Sequence, residues 1–190
     1  MVNKTRNVLG MKIVQRLVMF LLAFNHHGYA NPPLKTVPAL DVHHYTGKWY
    51  EVARLPNRFQ KQCASDVSAT YDLLTSGELA VVNTCLKENG QWSVAKGIAW
   101  FTEQPPGSKL KVSFVPWLKH FHLFGGDYWV LDLDPDYQWS IVGSPDRKYL
   151  WILSRTPSLS AHDLSLLIQR VQNLGFDGTR LIRTSHTNNP

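Results

Sequence analysis

The chain has 190 residues, enough for one domain with a real core, and its 20 Lys+Arg against 14 Asp+Glu give a formal net charge of +6. Four of those basic residues and none of the acidic ones fall within residues 1–30, so the remainder carries only +2 and holds no basic run. A nucleic-acid partner is excluded on those grounds, and the sequence pI of about 9.4 mostly reports the first 30 residues.

Residues 1–30 read as a secretory signal peptide, with the domain proper over 31–190. Lys4, Arg6, Lys12 and Arg16 precede an acid-free apolar run from Leu17 to Phe24, and Gly28-Tyr29-Ala30 offers a small-x-small cleavage site. The run is too short to span a bilayer. Met11 is an alternative start, since "MKIVQRLVMFLLAF" is a more ordinary signal by itself. No cysteine lies at its end to carry a lipid, so the expected product is soluble and exported, periplasmic or secreted. Any outer-membrane association would be made without a lipid anchor. In an exported chain two cysteines, Cys63 and Cys85, pair by default as a disulfide.

After a Pro-rich lead-in the chain reads as short strands divided by turn signals. "KWYEVARLP" stops at Pro56; "SDVSATYDLL" and "ELAVVNTCL" flank Thr75-Ser76-Gly77; "QWSVAKGIAWF" follows Lys87-Glu88-Asn89-Gly90. "SKLKVSFV", "DYWVLDL", "QWSIVGS" and "YLWILSR" complete eight. The links are too short for parallel crossovers. The expected fold is all-β: an eight-stranded antiparallel up-and-down barrel. Cys63 is placed just before the second strand and Cys85 at the end of the third, so a bridge would tether the long first loop at the open mouth. One helix follows, capped by Ser158 or Ser160, with Leu164, Leu167, Ile168 and Val171 at helical spacing and Gly175 as its stop. "TRLIRT" adds a last short strand.

An eight-stranded barrel has room inside for one small ligand. Ala95, Gly97 and Ala99 on one face of a strand are small for a packed sheet. Beside Tyr71, Phe114, Tyr128 and Trp151 they suggest a lined space; the alternative is small residues interlocking with large ones in a solid core.

At "YTGKWYEVARLP" the sequence resembles the lipocalins: Gly47-Lys48-Trp49-Tyr50-Glu51 matches their G-x-W-Y motif, and Arg155 in "YLWILSRTP" matches the Arg ending their last strand. The stretch "DYWVLDLDPDYQWSIVGSPDRKYLWILSRTP" is most similar to the bacterial lipocalin and apolipoprotein D branch, and the likeness runs over roughly residues 38–185. The middle motif departs: Leu133-Asp134-Pro135-Asp136-Tyr137 stands where T-D-x-x-Y is usual. Physically, Trp49 can plug the closed end with Arg155 across its ring as a cation–π lid, so Gly47, Trp49 and Arg155 are assigned to barrel closure. The resemblance implies that Tyr71, Phe114, Tyr128, Trp151 and Leu153 line the cavity; strand parity adds Val81, Asn83, Ala95, Gly97 and Ala99.

The expected function is binding, storage or transport of a fatty acid or lysophospholipid for upkeep of the cell envelope, with no cofactor and no catalysis. A few Tyr hydroxyls are expected at the mouth of a narrow, mostly apolar pocket. Two other readings remain: an isomerase-type enzyme using a cavity thiol, or a haem or metal carrier using His120 and His122, which would share a face in an extended strand. Two ligands do not make a metal site, so no bound metal is expected. The stretch "FVPWLKHFHLFGGDYWV" divides into Phe114 with its ring inward, a loop at the open mouth, and Tyr128 at the start of the next strand. Trp117, Leu118, Phe121 and Phe124 in that loop are read as a greasy mouth rim for a membrane surface or a second subunit.

Overall fold

The computed structural model describes residues 32–103, 107–115, 122 and 124–187. The signal-peptide reading of residues 1–30 therefore lies outside the described residues, as do His120, Trp117, Leu118 and Phe121.

A short helix α1 (Val42–Tyr45) leads into β1 (Gly47–Arg54). The strands β2 (Cys63–Leu73), β3 (Leu79–Lys87), β4 (Trp92–Phe101), β5 (Lys109–Ser113), β6 (Gly126–Leu133), β7 (Trp139–Gly143) and β8 (Leu150–Ser154) follow. Each pairs antiparallel with the next, and β1 pairs with both β8 and β2, which closes the barrel. Helix α2 (Ala161–Asn173) and a final two-residue strand β9 (Ile182–Arg183) complete the chain.

Alternation along the strands sorts the side chains into two apolar layers. Trp49, Tyr71, Val81, Ala99, Leu110, Val130, Val142 and Leu153 cluster inside. Ile141, Leu150 and Ile152 point outward and meet Leu164, Leu167 and Val171 of α2. Ser160 caps that helix, accepting from the Asp163 amide at 3.1 Å. Gly175, at φ 82°, ends it and lets Phe176 fold back into the outer layer.

Two irregularities shift the strand ends from their expected places. Cys63 is the first residue of β2, not a loop residue before it, and β3 runs past Cys85 to Lys87. Bulges between Cys63 and Ser65 and between Ser65 and Ser68 absorb the offset and bring Cys63 opposite Lys87. The Cys63–Cys85 disulfide forms there with Cα atoms 5.5 Å apart. Asp66, inside the bulged stretch, has φ 56°, a conformation that Asp tolerates because its short side chain bonds locally.

In β1 the register slips between Glu51 and Ala53, so Glu51 faces Leu153 while Arg54 faces Trp151. In a regular strand residues three apart lie on opposite faces. The extra residue, Val52, reverses that parity and turns both Glu51 and Arg54 inward. Beyond Tyr50, β1 parts from β2, and the C-terminal segment fills the gap. Arg183 and Ile182 pair with Ala53 and Arg54, while the Asp66 amide donates to Ser185 O at 2.9 Å. Among the described residues no helix is long and apolar enough to cross a membrane.

Candidate functional site: the barrel interior and its mouth

The floor of the barrel is built by α1. Asp41 caps it, accepting from the amides of His43 and His44, and this turn carries Tyr45 beneath the strands. Tyr45 O accepts from Trp49 Nε1 at 2.8 Å, and both side chains are fully buried. Arg155 Cζ lies 3.8 Å from the centre of the Trp49 ring. Its guanidinium donates to Lys48 O at 2.9 Å, His44 O at 2.6 Å and Tyr137 O at 3.2 Å. Gly47, at φ 89°, makes the turn from α1 into β1 in a conformation other residues rarely adopt.

Above Trp49 three phenols meet. Tyr128 OH shares hydrogen bonds with Tyr45 OH at 2.8 Å and Tyr71 OH at 3.0 Å, and Tyr45 OH lies 3.3 Å from Ser140 Oγ. Burial raises the Tyr45 phenol to about 12, and burial with neighbouring phenols holds Tyr71 and Tyr128 well above their ordinary value. These hydroxyls therefore stand at the floor and not at the mouth, a correction to the sequence expectation. Tyr45, which sequence reasoning missed, draws them down. Its signal was the Asp-led turn "DVHHY" just before the first strand.

Up the wall burial falls. Along the inner face of β4, Ala99 is 2% exposed, Gly97 is half-buried and Ala95 is exposed. On β3 Val81 is buried, whereas Asn83, level with Ala95, is half-buried. Its Oδ1 is buried without a hydrogen-bond partner. Phe114 follows the end of β5 and lays its ring on Gly97, where an added Cβ would fall 2.7 Å from Phe114 Cδ1 and 2.5 Å from Ser113 O. Small size at Gly97 is thus required by this contact. Trp151 and Leu153 on β8 pack into the interior cluster from the opposite wall.

A polar network lies at the upper end, between β1 and β8. Glu51, only 3% exposed, holds Arg54 Nη1 at 2.9 Å. It also accepts from Gln60 Nε2 and from the Thr184 hydroxyl. Gln60 Oε1 in turn accepts from Trp151 Nε1 at 2.8 Å and Asn57 Nδ2 at 2.7 Å. From Trp151 the rings of Tyr149 and Phe59 continue outward, at centroid spacings of 6.1 and 5.4 Å. A cavity of about 430 Å³ opens here, lined by Arg54, Pro56, Asn57, Arg58, Gln60, Lys61, Cys63 and Ile182. None of the residues predicted to line the ligand space borders it. Arg54 reaches it through the bulge in β1, a single added residue that carries no sequence signature.

The link between β5 and β6 does not stay at the open end in its described part. His122 stacks on Trp100 at 4.7 Å, and its Nε2 lies 2.7 Å from Glu78 Oε1. Trp100 alternates with the inward Ala99 and so belongs to the outer wall. A Cβ on Gly125 would come within 2.6 Å of its ring. His122 and Gly125 therefore stand beside the outer wall, and Phe124, which adjoins Gly125, is 64% exposed. The reason is Trp100, a large outward ring that the returning chain covers. Among the described residues no three His, Cys, Asp or Glu side chains gather as a metal site. Both cysteines of the chain are bonded to each other, so the oxidised protein has no cavity thiol.

Comparison with known proteins fits this architecture. The family model for the lipocalin-like domain matches residues 40–186. Temperature-induced lipocalin-1 of Arabidopsis thaliana is 38% identical over 159 residues, covering 83% of this chain and 85% of that protein. Outer membrane lipoprotein Blc of Escherichia coli (strain K12) is 39% identical over 154 residues, covering 80% and 83%. Insecticyanin from the tobacco hornworm Manduca sexta superposes with a TM-score of 0.65 at 20% identity, over 84% of this chain and 87% of that one. A match spanning the whole barrel, on a chain that closes its floor with Trp49 beneath Arg155, places this protein in the lipocalin family.

Proposed function

We propose that the protein takes one acyl chain of a fatty acid or lysophospholipid into the barrel and stores or carries it, outside the cytoplasm, for upkeep of the cell envelope. The observation that carries this reading is the gradient along β4, from a buried Ala99 through Gly97 to an exposed Ala95 on the inner face. An inward alanine that remains exposed borders open space. The wall around it is apolar and aromatic, with Phe114, Trp151 and Leu153 as its larger members. Tyr71 and Tyr128 close the bottom with hydroxyls already bonded to one another. Such a site rewards length of hydrocarbon and asks for no chemistry.

Substitution at the exposed alanine tests it. Ala95→Trp adds an indole to the open space without disturbing a packed contact. Fluorescence titration with a C18 fatty-acid probe should show binding reduced by about tenfold or more, with the far-UV spectrum unchanged. Undiminished affinity would place the lipid elsewhere.

A further inference from the structure

The cavity at the mouth offers chemistry that an acyl chain does not use. Three of its lining side chains, Arg54, Arg58 and Lys61, are cationic and none is anionic. Arg54 is matched by Glu51, 2.9 Å away. Arg58 and Lys61 make no ion pair with any carboxylate among the described residues; Arg58 only overlies the Phe59 ring at 5.2 Å. Two positive charges are therefore left facing the space. Arg54 is 11% exposed and already engaged by Glu51, and its Nε is buried away from the space, so Arg58 and Lys61 are the available cations. The bulge in β1 turns Arg54 to the inner face, and Gln60 connects the cavity directly to Trp151 on the lipid-facing wall.

We propose that this cavity is the head-group site of the barrel, and that it selects a phosphate monoester at the end of the acyl chain. The inference rests on the lipid reading above and names the class of lipid. A phosphate monoester carries about −1.5 to −2 near pH 7, which the two unmatched cations, Arg58 and Lys61, neutralise. A carboxylate leaves one of the cations unpaired. A phosphocholine or phosphoethanolamine head brings its own ammonium against Arg58 and Lys61. At about 430 Å³ the cavity holds a phosphoglycerol head with room for bridging water.

Competition against a bound fluorescent fatty acid tests the assignment, with oleoyl-lysophosphatidic acid and oleoyl-lysophosphatidylcholine as matched competitors. The first should displace the probe about tenfold more effectively, and in the Arg58→Gln/Lys61→Gln protein the ratio should fall to near one. In the unaltered protein the preference should also shrink as salt rises from about 0.05 to about 0.5 M. It should shrink again as pH falls through about 6, where the phosphate loses its second charge. Equal displacement by the two lipids, or a preference that the double substitution leaves intact, overturns the head-group assignment while the lipid reading stands. Failure of both lipids to displace the probe overturns the lipid reading as well. Glycerol 3-phosphate competing as well as the lysophosphatidic acid would make this a free-anion site and also overturn the proposal.

Discussion

Arg155 reaches carbonyl groups in α1, in β1 and in the β6–β7 turn while covering the Trp49 ring, so one side chain ties three segments to the floor. Arg155→Ala should lower stability by about 2–3 kcal/mol, seen as an earlier urea midpoint with an unchanged slope. Arg155→Lys should recover little of it, because an ammonium cannot serve three divergent carbonyls from one plane. The phenols predict a pH effect of definite sign. Folding raises the pKa values of Tyr45, Tyr71 and Tyr128 above 10, so the folded state binds more protons than the unfolded one at high pH. Their stabilising contribution is complete below pH 10 and is lost as pH rises from there, by up to about 1.4 kcal/mol per unit and group. Absorbance at 295 nm should show these three tyrosines ionising only as the protein unfolds, and Tyr128→Phe should remove one of them. Trp49 and Arg155 were readable because their roles follow from position at the ends of the first and last barrel strands. Tyr45 was not, since it sits in a lead-in that alternates with nothing and looks like a linker.

At the scale of the elements, period-two alternation and turn residues were enough to place eight strands, their antiparallel order and the flanking helix. Bulges escape that reasoning, because one added residue changes the facing of everything after it and leaves composition unaltered. Hence Glu51 and Arg54 meet inside, and Cys63 enters β2 opposite Lys87. The disulfide joins residues 22 apart across that bulged edge, which holds the mouth end of β2 to β3. Replacing both cysteines with Ser should cost about 3 kcal/mol in denaturant unfolding. The C-terminal strap seals the other side of the same edge. Thr187 donates to Asp66 through its amide at 2.8 Å, His186 Nε2 lies 2.9 Å from Glu51 O, and Thr184 reaches the Glu51 carboxylate. Burial raises the Asp66 carboxyl, but hydrogen bonds from Ser65 and Thr187 outweigh it and hold it below its usual value. Ending the chain after Leu181 should therefore uncover Glu51 and accelerate proteolysis between Pro56 and Cys63, with the β3–β8 wall retained. Unchanged cleavage would mean that the strap only decorates the barrel.

Among the described residues the barrel interior is packed at the Trp49 end and less buried towards Ala95. The sequence pattern held both possibilities together, since Ala95, Gly97 and Ala99 suit a lined space and an interlocked core equally well. Ala99 belongs to the packed floor with Leu79, Val81 and Leu110, while Ala95 borders the opening. Shear in a tilted barrel divides one strand between the two, and strand parity has no information about height along the axis. This division sets how affinity should depend on the lipid. Each methylene buried in the open part contributes about 0.8 kcal/mol, close to a fourfold gain in affinity per carbon. Once the chain end meets the Tyr71–Tyr128 pair, further carbons must stay near the mouth, beside the polar lining of Arg54 and Gln60, and the gain should stop. Titration with saturated fatty acids of increasing length should thus give a steep rise followed by a plateau, the break marking the distance from mouth to floor. Tyr128→Phe leaves the ring in place and should not move that break. An affinity that climbs without a plateau, or does not climb at all, would mean that the hydrocarbon lies outside the barrel.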